Sequence, residues 1–568
     1  MGSPLDSIGK KDTPLADEGL NIAITGTKGR FIPVPGLPPV IDADVVVKIT
    51  GRTAHVSVAK AAMETPGQRR LEIAESIFDI SDTAPPKPEA KVQVKVSGPA
   101  AAAIELAGIP PLRGPTYVPI DPQAVSGTVD GTAQISVKLS DNIQPSDIDY
   151  AFDATLEDFA AAKMVFNQNL TDATVRAFVT QAATVARGEG KFGGAPASFE
   201  YNRPATGDVT FAVAASLDDS ARQKLGFELP GMAGPLGVKL AGVVGAKVKT
   251  VDVELDLTKT KLVDLVPGWT KPAGKAAKMT AKAHITDKVT RLDDLVVSGQ
   301  GVDIRGTVDL DPKGGVLSAN LPTFKLADGD KANLKLENVD GTYKVTVRGE
   351  VIEARAFLKQ LTDTPPSGPG TARPPDVDLD VKLGVVAGNN GETMRDLVLV
   401  LSRRAGELRS FSLGALVGRS GGVTGELRTQ GNGRPQLRVA TSDAGALLRF
   451  IDLYPKIQGG DLWVDVDAPG GGRPQSGVIN VRDFVIRGEA GLDRLIAAAP
   501  QAVRDGRPQP GSAIAFRKLQ VNFQRSAQQI TLRDGAIWGP SIGSTFDGTL
   551  DLANDRVSVR GTYVPAYG

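Results

Sequence analysis

The chain has 568 residues, 65 Lys plus Arg against 65 Asp plus Glu, two His and no Cys. Balanced charge without a long basic block argues against a nucleic-acid partner, and the missing cysteine excludes disulfides, thiolate chemistry and Cys-based metal centres. No apolar run reaches the roughly 18 residues of a membrane helix, and no signal-peptide layout opens the chain.

Along the chain the dominant signal is a period of two. Apolar residues alternate with polar ones at Val92, Val94, Val96; Ile135, Val137, Leu139; Val209, Phe211, Val213; Val251, Val253, Leu255, Leu257; Val377, Leu379, Val381, Leu383; and Leu519, Val521, Phe523. Such runs are strands with one apolar and one polar face. With 64 Gly and 39 Pro but only 5% aromatics, many turns join many short strands over a thin core.

Short helices are predicted between strand groups at Ala100–Gly108, Asp218–Leu225, Glu353–Leu361, Asp443–Leu453 and Gly491–Val503. Their recurrence suggests a degenerate repeat rather than separate globules. The stretch from Thr364 to Pro375 is Pro-rich and places a soft division near 376, giving segments 1–375 and 376–568 that are expected to be continuous. Asn554-Asp555 and Pro312 to Gly315 read as hairpin turns, so neighbours in sequence are expected to pair antiparallel. Met1-Gly2-Ser3 reads as a cloning scar, and the chain stops at Gly568 straight after a strand-like stretch. The expectation is a fragment of something longer, without its anchor.

Motifs that resemble active sites sit in the wrong settings. Gly539-Pro540-Ser541-Ile542-Gly543 fits a nucleophile elbow, but a strand follows it and no histidine lies downstream. Gly188 to Gly193 fits a dinucleotide loop, but a strand rather than a helix follows. His55 and His284 lie on polar strand parity, and Asp376, Asp378, Asp380, Asp465 and Asp467 read as a wet face rather than a calcium loop. The expectation is no enzyme, no nucleotide, no metal and no cofactor.

The C-terminal stretch Val481 to Ala490, then Phe516 to Leu519, Thr531 to Gly535, Gly539 to Gly543, and Phe546 to Leu552 leading to Arg560 to Gly568, resembles the AsmA-like family of YhdP/TamB-type envelope proteins. These are similar to repeating β-groove, or bridge-like, lipid-transfer proteins. The resemblance implies an inner-membrane anchor, a periplasmic location in Gram-negative bacteria, and phospholipid movement that supports the outer membrane. Partners implied are phospholipids and proteins of the inner and possibly the outer membrane.

The expected fold is all-β, a long twisted antiparallel sheet curled into a U-shaped groove with short helices between repeats. Twenty-five to thirty strands at about 4.8 Å spacing would give a groove on the order of 120 to 140 Å. Its candidate lining is Val209, Phe211, Val213, Val251, Val253, Leu255, Val377, Leu379, Val381, Leu519, Val521 and Phe523. The competing expectation is a non-catalytic envelope scaffold or assembly factor of β-sandwiches or a β-solenoid, in which these residues form a sealed core.

Overall fold

The structure is a computed structural model. It describes residues 19–565 apart from 111, 142, 145–146, 166–167, 227–230, 245–248, 267, 363–374, 430–433, 469–474, 499–512, 527–528, 541, 552–553 and 555. The molecule is all-β: among the described residues 69% are strand and 8% helix, and thirty strands belong to one mainly antiparallel sheet that is not closed into a barrel. Contacts divide the chain into two compact units, 1–260 with 282–286, and 261–281 with 287–568. Position 376 falls inside the second unit, and most of the Pro-rich stretch before it lies outside the described residues.

In the first unit five strands precede helix α1 (Ala100–Ala107), and six more separate it from helix α2 (Asp219–Lys224). Consecutive strands pair antiparallel, from Asn21↔Thr50 to Val244↔Lys249. In an up-and-down sheet, connections after odd-numbered strands share one end, so α1, after the fifth, and α2, after the eleventh, mark the same rim. Ala100, Ala101 and Ala102 of α1 are buried against the sheet, where small side chains allow close approach of helix to strand. Glu105 fastens the other end of α1, accepting hydrogen bonds from Thr65 Oγ1 at 2.6 Å, Gly67 N at 2.6 Å and Arg69 Nη1 at 2.8 Å. The start of α2 is capped by the Asp218 carboxylate, which accepts from Ala221 N at 2.7 Å.

The second unit carries helices α3 (Arg355–Thr362), α4 (Ala444–Phe450) and α5 (Ala490–Ala498). The last residues of the segment predicted as the fifth helix, 499–503, lie outside the described residues. Here one pairing departs from the expected antiparallel rule. The strand Thr342–Glu353 lies parallel to Asp376–Ala387, with Val347↔Val381 in register. The cause is topological: the chain leaves one strand at Glu353 and enters the next at Asp376, at the other end of the sheet, as a parallel crossover requires. Asp443 caps α4 by accepting from Ala446 N at 3.0 Å, and Ala444, Ala446, Leu447 and Phe450 sink into a core that includes Met394, Val417, Val423, Leu462, Val481 and Phe484.

A second recurring device shapes the strands. Lys28, Asp42, Glu75, Asp158, Asp172, Asp294, Asp396 and Asp534 all have φ between 45° and 53°, and each lies at a register shift within a strand. These are β-bulges, which bend a strand and raise its twist. Each Asp follows the pattern apolar, any, Asp, apolar or small, as in Leu156-Glu157-Asp158-Phe159 and Met394-Arg395-Asp396-Leu397. The bulge drops Asp out of the alternation, so the two flanking apolar residues share one core, as Leu156 and Phe159 do and as Met394 and Leu397 do. Asp is favoured because its short side chain tolerates the left-handed conformation. Asp396→Gly is therefore expected to hold the thermal stability within about 0.5 kcal/mol, whereas Asp396→Val should cost about 1–2 kcal/mol. Equal denaturation midpoints for the two variants would contradict the bulge assignment.

Candidate functional site

Register converts the alternation into continuous stripes. In the first unit one line of paired residues crosses eight strands: Val129, Leu156, Val175, Gly188, Phe199, Val213, Leu240 and Val253. Beside it run Tyr201, Phe211, Gly242 and Val251, and on the other side Ala215, Val238 and Leu255. Val209 pairs with Val244 at the end of the same strand pair. All six residues expected in this unit thus share one face.

The second unit carries a longer line. Leu321, Leu334, Val347, Val381, Leu399, Leu413, Gly425, Val439, Val464, Ile479 and Val521 are successive partners across eleven strands. Measured along the sheet, ten strand spacings of about 4.8 Å make it roughly 48 Å long. Leu379 lies on the adjacent line with Val345, Leu401 and Phe411, and Val377 pairs with Tyr343 and Arg403. Leu519 pairs with Val481 and Ile537, and Phe523 with Gly477 and Leu532.

Exposure along these lines is graded. Of the twelve expected residues, Val251 (3%), Val381 (8%) and Val521 (5%) are buried and the other nine are half-buried. In the eleven-strand line Leu334, Val347, Leu399, Leu413, Val439, Val464 and Ile479 are likewise half-buried. The interior of a two-sheet sandwich would seal such residues. Toward the helix rim the face closes: Met394, Val417, Val423, Leu462 and Val481 are buried beneath α4 and its neighbours. Among the described residues the five helices are only six to nine residues long.

The aromatic side chains keep low on this face. Phe199, Phe211, Phe523 and Phe546 stand directly opposite Gly188, Gly242, Gly477 and Gly535 on neighbouring strands. In each pair a ring atom lies 2.5–3.0 Å from where a glycine Cβ would be. The rings lie against the glycine backbone of the neighbouring strand. Sequence reasoning missed Leu240, Phe199, Leu399, Leu413, Val464 and Ile479. Their alternation was visible, but which residues align across strands is a matter of register.

The opposite face carries cross-strand ion pairs. Arg404 Nη2 lies 2.7 Å from Asp378 Oδ2, Arg348 Nη2 2.7 Å from Asp380 Oδ2, and Arg176 Nη2 2.8 Å from Asp153 Oδ2. The Arg404 hydrogen bond, with that of Ser402, holds the Asp378 carboxyl below its ordinary range, and Arg348 does the same for Asp380. A depressed carboxyl contributes stability above its unfolded value near ~4 and loses it as pH falls through the folded value. The thermal midpoint is therefore expected to drop below about pH 4, and Asp378→Asn with Asp380→Asn should flatten that drop. An identical acid profile in the double variant would remove these pairs from the account.

The chemical motifs resolve into strand and turn. Gly188 to Phe192 belongs to the strand Ala183–Phe192, which turns at Gly193 into Ala195–Pro204. Ser541 lies outside the described residues, and the strand Ile542–Asp551 follows it. His55 Nδ1 sits 3.2 Å from Asp79 Oδ1 on the polar face, and His284 Nδ1 lies 3.4 Å from Thr250 Oγ1. Among the described residues no group of three or more His, Asp or Glu side chains could hold a metal, and no helix is long and apolar enough to cross a membrane. No known protein family, curated protein or solved structure matches the chain.

Proposed function

We propose that the protein is a non-catalytic lipid conduit, in which the apolar sheet face of each unit is a bed for phospholipid acyl chains. The observation that carries this reading is the apolar line across eleven strands, seven of whose residues are half-buried, unbroken by any charged side chain. An acyl chain laid on such a line gains about 0.8 kcal/mol per CH₂ removed from water. Equivalent contacts repeat at every strand, so a lipid shifts along the line without a large change in energy, and the headgroup stays wet at the open side. That step needs no cofactor or nucleotide.

The resemblance of the C-terminal stretch to AsmA-like proteins supports placing the conduit in the periplasm. There it would act at the inner membrane and hand phospholipid toward the outer membrane. Its partners would then be phospholipids and envelope proteins at either membrane. Native mass spectrometry of the purified protein tests the reading. Phospholipid adducts, several per chain, are the expected result; a lipid-free mass from protein extracted without detergent would sink it and favour a sealed scaffold.

A further inference from the structure

The apolar faces described above are not the only oily surface. Phe31-Ile32-Pro33-Val34-Pro35 forms the tip between the strands Asn21–Phe31 and Val40–Thr50, and all five residues are exposed. Phe31 is 43%, Ile32 63% and Val34 46% accessible. Five successive exposed apolar residues are unusual on a surface that faces only water. The tip also ends in a hydrogen-bonded turn. Leu37 N donates to Val34 O at 3.1 Å, with Pro35 and Gly36 between them and Gly36 at φ 93°, the arrangement of a type II turn. Pro33, Pro35, Pro38 and Pro39 reduce the entropy lost on ordering it.

Charge follows the same logic. Between Gly19 and Ile41 the only charged residues are Lys28 and Arg30; downstream, Asp42 meets Arg70 at 3.2 Å, and Asp44 meets Lys60 at 3.2 Å and accepts from Lys28 N at 3.1 Å. With a strand rise of about 3.4 Å per residue, the two cations stand roughly 3 to 10 Å behind Phe31. That offset matches the depth at which an interfacial apolar segment carries its cations, with side chains at the acyl boundary and charges among the headgroups.

We propose that the tip at 31–36 docks this chain onto a bilayer surface bearing anionic lipid headgroups. Phe31, Ile32 and Val34 enter the acyl boundary, and Lys28 and Arg30 contact headgroup phosphates. The strand behind the tip exposes Ile22 and Ile24, which pair with Ile49 and Val47 of its neighbour, so an apolar path leads from the docked bilayer onto the sheet. Docking itself does not depend on lipid loading, and the two readings fail separately.

The experiment is flotation of the whole chain with vesicles of phosphatidylcholine, with and without phosphatidylglycerol. The wild-type protein should float with the anionic vesicles and less with neutral ones. Ile32→Asp with Val34→Asp should lower binding at least about tenfold while leaving copurified lipid and the thermal midpoint unchanged. Lys28→Gln with Arg30→Gln should lose about fivefold per charge on anionic vesicles only. Val253→Asp, which alters the sheet face, should float like wild type. A wild-type protein that stays at the bottom of the gradient, equal flotation with both vesicle types, or undiminished flotation of the Ile32 and Val34 double variant would each overturn the proposal.

Discussion

Val253→Asp is expected to strip bound phospholipid from the first unit, lowering its lipid occupancy by at least about tenfold, while the protein stays folded. Val253 ends the eight-strand apolar line and its side chain is half-buried, so a carboxylate there remains hydrated in the lipid-free protein. Once an acyl chain lies over the line, the same carboxylate loses its water, and the cost of an unpaired charge in apolar surroundings exceeds the gain from several methylenes. Val464→Asp makes the parallel test in the second unit, at the ninth strand of the eleven-strand line. The control is Asp252→Asn: Asp252 is exposed and adjacent in sequence but on the opposite parity, so lipid loading should not change. Native mass spectrometry reads all three. Full lipid loading in a folded Val253→Asp protein would mean that this line is not where the chains lie.

Much of this arrangement is legible in the sequence, for identifiable reasons. Period-two alternation reports which side chains share a face, because Cβ direction alternates strictly along a strand, and so all twelve expected lining residues fall on the apolar face. The capping residues Asp218 and Asp443 stand where the helices begin, since an unpaired backbone N–H needs an acceptor there. Alternation carries no register, however. It could not show that Val381, Leu399 and Leu413 align, nor that Phe523 lies over Gly477, because those facts depend on hairpin lengths and bulges. The bulges themselves had a signal that went unread. In Leu292-Asp293-Asp294-Leu295 the two leucines are three apart, which breaks the alternation unless one residue leaves the ladder, and Asp294 does so at φ 50°. The parallel pairing of Val347 with Val381 was illegible for a different reason: the sequence between Glu353 and Asp376 carries no information on direction.

Phe450→Ala is expected to produce the largest loss of stability, about 3–5 kcal/mol, because its ring fixes α4 to the sheet. Phe450 is 2% exposed, and its ring lies directly over Gly388, where any Cβ would overlap ring carbons. The turn around Gly388 grips the C-terminal end of α4. Asn389 N donates to Phe450 O at 3.0 Å, Asn390 Nδ2 to Arg449 O at 2.9 Å, and Arg449 Nε meets Glu392 Oε1 at 2.8 Å. Gly388→Ala should therefore cost about 2–3 kcal/mol by overpacking, not through backbone strain, since Gly388 is absent from the left-handed conformations. The two effects share one cause, so they should not add. With the ring removed, Gly388→Ala has nothing to strike, and the double variant should match Phe450→Ala alone, giving a coupling near the full cost of the glycine change. Additive losses in chemical denaturation would show that Gly388 matters for another reason. Because α4 seals the helix rim, Phe450→Ala should also raise amide exchange across Ala444–Phe450 before the sheet opens, whereas a merely local cavity would leave that exchange unchanged.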